Sequence, residues 1–279
     1  MAAVLGAQRS DTVERGLEMM ALSPSRSPWI VSPRPVPRPR LRLICAPYAG
    51  GGAAIYRGWA DKLPSSIEVS ALQLPGREQR YREPLLTDMP TIVGEAAKAV
   101  VPLFADAPVV LFGHSMGAII VYEMARILRA RSGLRPLALV VSGRIAPHRR
   151  PHRMPAYDLP EPAFIDHLRK LNGTPAAILE NGELLQIVLP IVRADFKAIE
   201  TYRPFPGPML DCPILALGGD SDPEVGEQAL MDWQTVTSGR FDSHIFSGDH
   251  FFLASREAAV LGQILRSIGD WSPVALAAS

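Results

Sequence analysis

Pro108-Val109-Val110-Leu111-Phe112-Gly113-His114-Ser115-Met116-Gly117 decides the reading of this chain, together with the amphipathic run Ala118 to Arg131 directly behind it. The apolar run Pro108 to Phe112 reads as a buried strand. Beyond the turn, Ile120, Met124, Ile127 and Leu128 fall at i, i+4, i+7 and i+8, one face of a helix. A G-x-S-x-G sequence between strand and helix forms a tight elbow and presents the serine hydroxyl at the helix N-terminus. The flanking glycines lack a Cβ, so strand, turn and helix can approach closely. Ser115 is therefore the candidate nucleophile. A bare match of this kind arises by chance about once in ten chains of this length, so its weight comes from the strand before it and the helix after it.

The same alternation continues outward from the elbow. Leu41 to Ala46, Ile67 to Leu74, Leu137 to Ser142, Pro213 to Leu217 and Asp242 to Phe246 are short apolar or β-branched runs. Between the strands lie helical patterns at Ala53 to Lys62, Thr91 to Phe104, Gly226 to Thr237 and Arg256 to Ile268. Such a rhythm predicts an α/β fold, a mainly parallel sheet flanked by helices on both faces. One interval breaks it: about 68 residues separate Gly143 from Asp211, far more than a single crossover uses. Residues 144–205 are expected to form a helical lid insertion, with helices over Glu161 to Leu171 and over Asn181 to Tyr202, the latter interrupted at Pro190. Residues 1–40, with six prolines and four arginines between Ser23 and Arg40, read as a disordered or loosely attached leader. Residues 41–270 form the main domain and 271–279 a C-terminal tail.

Composition narrows the class. The chain has 279 residues, 47% of them hydrophobic, enough for a substantial core, and a net charge of +1 that gives no reason to expect nucleic acid as a partner. No run approaches the length of a spanning helix, so no membrane is expected. Cys45 and Cys212 both lie in apolar runs, which argues against a disulfide framework and for a cytoplasmic location.

A serine hydroxyl needs a base, and the base needs an orienting group. Gly219-Asp220-Ser221-Asp222-Pro223 follows one strand and Gly248-Asp249-His250-Phe251-Phe252 follows the last, so both polar loops belong to strand ends. His250 is the candidate general base. Asp222 is the favoured orienter, with Asp220 as its competitor. The amide of Met116, directly after the nucleophile, is the first candidate donor for an oxyanion. A second donor is expected from the glycine-rich loop Ala46-Pro47-Tyr48-Ala49-Gly50-Gly51-Gly52. That loop lacks the Lys-Ser/Thr ending of a phosphate cradle, and no G-x-G-x-x-G follows a strand. No two His or Cys residues pair at zinc-like spacing with a third donor, so no metal site is expected.

These residues resemble a family: the stand-alone type II thioesterases of polyketide and nonribosomal peptide pathways, within the α/β-hydrolase superfamily. The likeness spans about residues 41–270. Pro47-Tyr48-Ala49-Gly50-Gly51, the elbow, and the Asp222 and His250 loops carry it. Most specific is Gln73-Leu74-Pro75-Gly76-Arg77-Glu78, which general esterases lack. The resemblance implies Ser115 as nucleophile, His250 as base, Asp222 as orienter, and the amides of Ala49 and Met116 as the oxyanion hole. It implies the hydrolysis of acyl groups held on the phosphopantetheine arm of acyl or peptidyl carrier proteins, with acyl-CoA as a further substrate. No cofactor is implied beyond the phosphopantetheine that the substrate brings. The long leader and Gly52, where serine is frequent, depart from the family pattern.

Three other functions share these residues: a carboxylesterase, an acyltransferase or cyclase, and a non-catalytic carrier-binding module. Arg144, Arg149, Arg150 and Arg153 gather where the insertion begins and are candidates for docking an acidic carrier protein.

Overall fold

Alternate residues of the central strands face opposite ways, and both sets are apolar. In Leu41–Ala46, Ile44 and Ala46 enter one core while Leu41, Leu43 and Cys45 enter the other. Val109 and Leu111 divide in the same way from Val110 and Phe112. Strands covered on both faces read as continuous apolar runs, which is why these segments lack a polar alternation.

The computed structural model describes residues 27–149 and 155–276. Seven strands form one sheet: β1 Ile30–Val31, β2 Leu41–Ala46, β3 Ile67–Leu72, β4 Val109–His114, β5 Ala138–Ser142, β6 Ile214–Gly219 and β7 Phe241–Phe246. Their spatial order is β1-β3-β2-β4-β5-β6-β7, and every pairing is parallel except β1 with β3. The helices are α1 Trp59–Lys62, α2 Met89–Val100, α3 Met116–Ser132, α4 Glu161–Leu171, α5 Ala176–Leu179, α6 Gly182–Glu200, α7 Glu227–Met231, α8 Phe252–Ser255, α9 Glu257–Trp271 and α10 Pro273–Leu276. On one face of the sheet α2 and α3 build the core; on the other α1 and α9 do so. The predicted α/β architecture is present.

Four expectations need correction. Residues 27–40 are not a loose leader: Trp29 and Ile30 are buried, Ile30 pairs with Leu72, and the Gln73 amide donates to the Trp29 carbonyl at 2.8 Å. Arg80 lies over the Trp29 ring at 4.7 Å, and the Val36 amide and Ser32 hydroxyl both donate to the buried Glu68 carboxylate. Proline-rich composition hid this segment because its anchors are isolated side chains. Residues 1–26 lie outside the described residues. The C-terminal tail is also docked as far as Leu276, since α9 runs to Trp271 and α10 buries Ala275. Pro190 does not interrupt α6, which continues from Gly182 to Glu200. Finally, the pattern Ala53 to Lys62 divides into a 3-10 turn at Ala53–Tyr56 and α1.

Between β5 and β6 the insertion holds α4, α5 and α6. Asn172 ends α4 in the left-handed conformation, and the Asn181 side chain caps α6 by accepting from the amides of Glu183 and Leu184. Phe164, Leu168, Leu179, Leu189, Val192 and Phe196 form a small core of its own within the insertion. No helix among the described residues is long and apolar enough to cross a membrane.

Candidate active site

Ser115 stands between β4 and α3 with φ 53° and ψ −113°, an uncommon backbone conformation for a non-glycine residue. Close packing holds it there. A Cβ on Gly113 would lie 2.1 Å from the Gly117 carbonyl oxygen, and one on Gly117 would lie 2.2 Å from that of Ala46. The Ser115 amide donates to the Ser142 carbonyl on neighbouring β5 at 2.8 Å. Its hydroxyl therefore projects from a turn anchored on both sides.

The loop after β7 brings His250 to this serine. His250 Nε2 lies 3.1 Å from Ser115 Oγ, and Nδ1 lies 2.7 Å from Asp222 Oδ2 in the loop after β6. A carboxylate facing Nδ1 keeps the proton of the neutral ring on that nitrogen, so the Nε2 lone pair faces the hydroxyl. The Asp222 side chain is fully buried, and its other oxygen accepts from the Glu224 amide at 2.8 Å. Asp220 has a different place. It is exposed and accepts from the Gly248 amide, which ties the two loops together and holds its carboxyl below the usual range.

His114, beside Ser115, is completely buried. Its Nδ1 meets Ser142 Oγ at 2.9 Å, its ring centre is 5.2 Å from that of His250, and its Nε2 has no hydrogen-bond partner among the described residues. Burial, with the neighbouring His250 ring, pushes its pKa well below the ordinary histidine value. The remaining described histidines are elsewhere: His148 in an exposed loop, His167 on α4 and His244 on β7.

The second loop is a tight turn after β2. The Gly51 amide donates to the Tyr48 carbonyl at 2.9 Å, and Gly50 has φ 83°, the left-handed value that a type II turn requires at its third position. Ala49 is then the second residue of that turn. With Met116, the first residue of α3, it lines a pocket that also holds Ser115 and His250. The insertion supplies Leu168, Leu171, Val192, Phe196 and Ile199 to the pocket wall, opposite Tyr48 and Phe251. The lining is mostly apolar, with Ser115, His250, Arg144, Thr174 and Glu224 among its polar members.

Two of the four arginines near the start of the insertion are among the described residues. Arg144 lines the pocket, Arg149 pairs with Asp232 at 2.8 Å, and Arg150 and Arg153 lie outside the described residues. No group of three or more His, Cys, Asp or Glu suited to a metal ion occurs among the described residues. Cys45 and Cys212 are buried free thiols.

Sequence reasoning missed Asp195. It lies in α6 at the helix position that also packs Val192, Phe196 and Ile199, and its side chain is fully buried against Arg77. A carboxylate on the apolar face of a helix was the available signal.

The thioesterase domain family matches residues 41–271. The chain is 41% identical over 246 residues to linear gramicidin dehydrogenase LgrE of Brevibacillus parabrevis, covering 87% of this chain and 92% of that protein. It is 40% identical over 225 residues to thioesterase PikA5 of Streptomyces venezuelae, covering 81% and 80%. The structure of the type II thioesterase BorB from the borrelidin biosynthetic cluster superposes with a TM-score of 0.80 at 37% identity, covering 88% of this chain and all of that one.

Proposed function

This chain belongs to the thioesterase family and is a thioester hydrolase, and we propose that it cleaves acyl thioesters from the phosphopantetheine arm of carrier proteins in polyketide or nonribosomal peptide biosynthesis. Ser115 is the nucleophile in this reading, His250 the base and Asp222 its orienter. The carrying observation is the imidazole of His250, which bridges the Ser115 hydroxyl and a buried carboxylate at 3.1 Å and 2.7 Å.

As Oγ attacks the thioester carbonyl, Nε2 takes its proton, and the amides of Ala49 and Met116 receive the oxyanion. Collapse of the tetrahedral species expels the pantetheine thiol, which takes the proton from His250, and leaves an acyl-serine. A thiolate is a good leaving group, so this step makes modest demands on the acid. Water then loses a proton to the same nitrogen, attacks the ester and releases the acid, and Oγ recovers the proton. The insertion acts as a lid: its apolar side chains cover the acyl group and exclude bulk water. Carrier proteins are the partners in this reading, with acyl-CoA as a second source of the same thioester. Two unpaired buried thiols suit the cytoplasm.

The test is to mix the chain with carrier proteins bearing acetyl, propionyl or longer acyl groups and follow intact mass. The acyl mass should disappear with free acid as product, and Ser115→Ala should slow the loss by at least about 10³-fold. Equal loss with the alanine variant would remove the serine mechanism. Release as an ester or amide would make the chain a transferase, and faster cleavage of the matching oxygen ester would make it a carboxylesterase.

A further inference from the structure

Gln73, Arg77, Glu78 and Asp195 converge on the second half of the turn after β2 and on the chain that follows it, and the contacts they make are to backbone and to each other. Arg77 and Asp195 form a buried two-pronged pair, with Nη1 2.6 Å from Oδ2 and Nη2 2.9 Å from Oδ1. Both partners also hold backbone. Asp195 Oδ2 accepts the Gly50 amide at 2.7 Å, and Arg77 Nη1 donates to the Gly51 carbonyl at 3.0 Å. Gln73 accepts the Ala53 amide at 3.3 Å while donating to the Arg77 carbonyl at 3.1 Å, and Glu78 accepts the Ala54 amide at 3.2 Å.

We propose that Arg77 and Asp195 are positioning residues for thioester cleavage: their ion pair fixes the Ala49–Gly50 and Gly51–Gly52 peptide planes, and so, through the turn that the Gly51 amide closes on the Tyr48 carbonyl, aims the Ala49 amide at the oxyanion. This inference rests on the reading of Ala49 as an oxyanion donor. It gives Arg77 a physical task that spacing alone did not reveal. Because Asp195 belongs to α6, the donor is in place only while that part of the insertion is seated on the loop. Val192, one turn earlier, makes the same contact sterically, since a Cβ on Gly50 would lie 2.7 Å from its Cγ2. Charge alone would not need this geometry. A planar fork satisfied on both prongs fixes angle as well as distance, which a lysine in place of Arg77 cannot do.

The experiment separates aiming from mere cohesion. Asp195→Asn keeps the volume but removes the charge, and the double variant Arg77→Met with Asp195→Leu replaces the buried pair by apolar side chains of similar size. Replacing both partners of a buried pair often leaves a fold stable, whereas removing one strands the other. Each variant is assayed with propionyl-pantetheine. Each is also titrated with a trifluoromethyl ketone thioether, which adds to Ser115 as a tetrahedral oxyanion, and with the matching amide, which binds without that charge.

Both variants should lose about 10²-fold in kcat with KM changed less than threefold. Both should bind the ketone more weakly by a similar factor and the amide unchanged. A double variant with wild-type melting and wild-type kcat would reduce the pair to a structural brace. Parallel loss of ketone and amide affinity in Asp195→Asn would likewise overturn the proposal. If the wild-type chain leaves the thioester intact yet loses ketone affinity selectively on substitution, the function reading fails and the clamp stands.

Discussion

His114 shares the turn of Ser115 but carries a proton problem of its own. Burial holds it neutral where an exposed histidine, with an ordinary pKa of about 6.5, would take up a proton. Below that pH the unfolded chain binds a proton that the folded one refuses, so the folded state loses stability on acidification. The slope from this single group approaches about 1.4 kcal/mol per pH unit. Glu123 runs the opposite way. Its burial raises its carboxyl pKa above 4.5, so the folded chain keeps a proton that the unfolded one has lost, and stability falls as pH rises from there. Melting measured at pH 7.5, 6.5 and 5.5 should therefore drop below pH 6.5, and His114→Gln should flatten that drop while lowering the starting midpoint. Identical pH slopes for the two proteins would remove His114 as the source. At this scale Ser115, His250 and Asp222 were legible because each follows a strand in a recognisable polar loop. Asp195 was not, because its role depends on a partner 118 positions away.

Helix α6 shows where an element departs from its own propensity. Proline lacks an amide and its ring crowds the carbonyl four residues back, which costs about 3 kcal/mol in a helix interior relative to alanine. Pro190 nevertheless stands mid-helix. Val192, Ala194, Asp195, Phe196, Ala198 and Ile199 are buried on its C-terminal side, and this packing overrides the local preference. The first half has less to hold it, since Leu184 and Ile187 are exposed. Pro190→Ala should restore the missing amide and slow hydrogen exchange over residues 184–192. Exchange there that is unchanged by the substitution would mean that proline is not the weak point. The strand runs were legible because apolar side chains on both faces leave a continuous signal. The short helices α8 and α10 were not, since four residues carry too little periodicity to register.

At the scale of the molecule, the apolar side chains of the described residues sort into three groups of unequal size. Two large cores cover the faces of the sheet, and the third, around Phe164, Leu168 and Phe196, belongs to the insertion alone. Ala49 packs against both the insertion's core and one of the large ones, so the Tyr48–Gly51 turn lies on the seam between them. Ala198 and Ile199 belong to the large core, although the same helix carries Val192 and Phe196 in the small one. Residues that share few contacts with the main body open without global unfolding. Helix α4 and the first half of α6 should thus exchange their amides together, faster than β4 and β5, while residues 196–200 stay protected to near the global limit. Covalent capture of Ser115 by the trifluoromethyl ketone should slow exchange in α4, because Leu168 and Leu171 line the occupied pocket. If α4 exchanges only at the rate of the central strands, the insertion is no lid. The pocket would then admit its substrate without that motion.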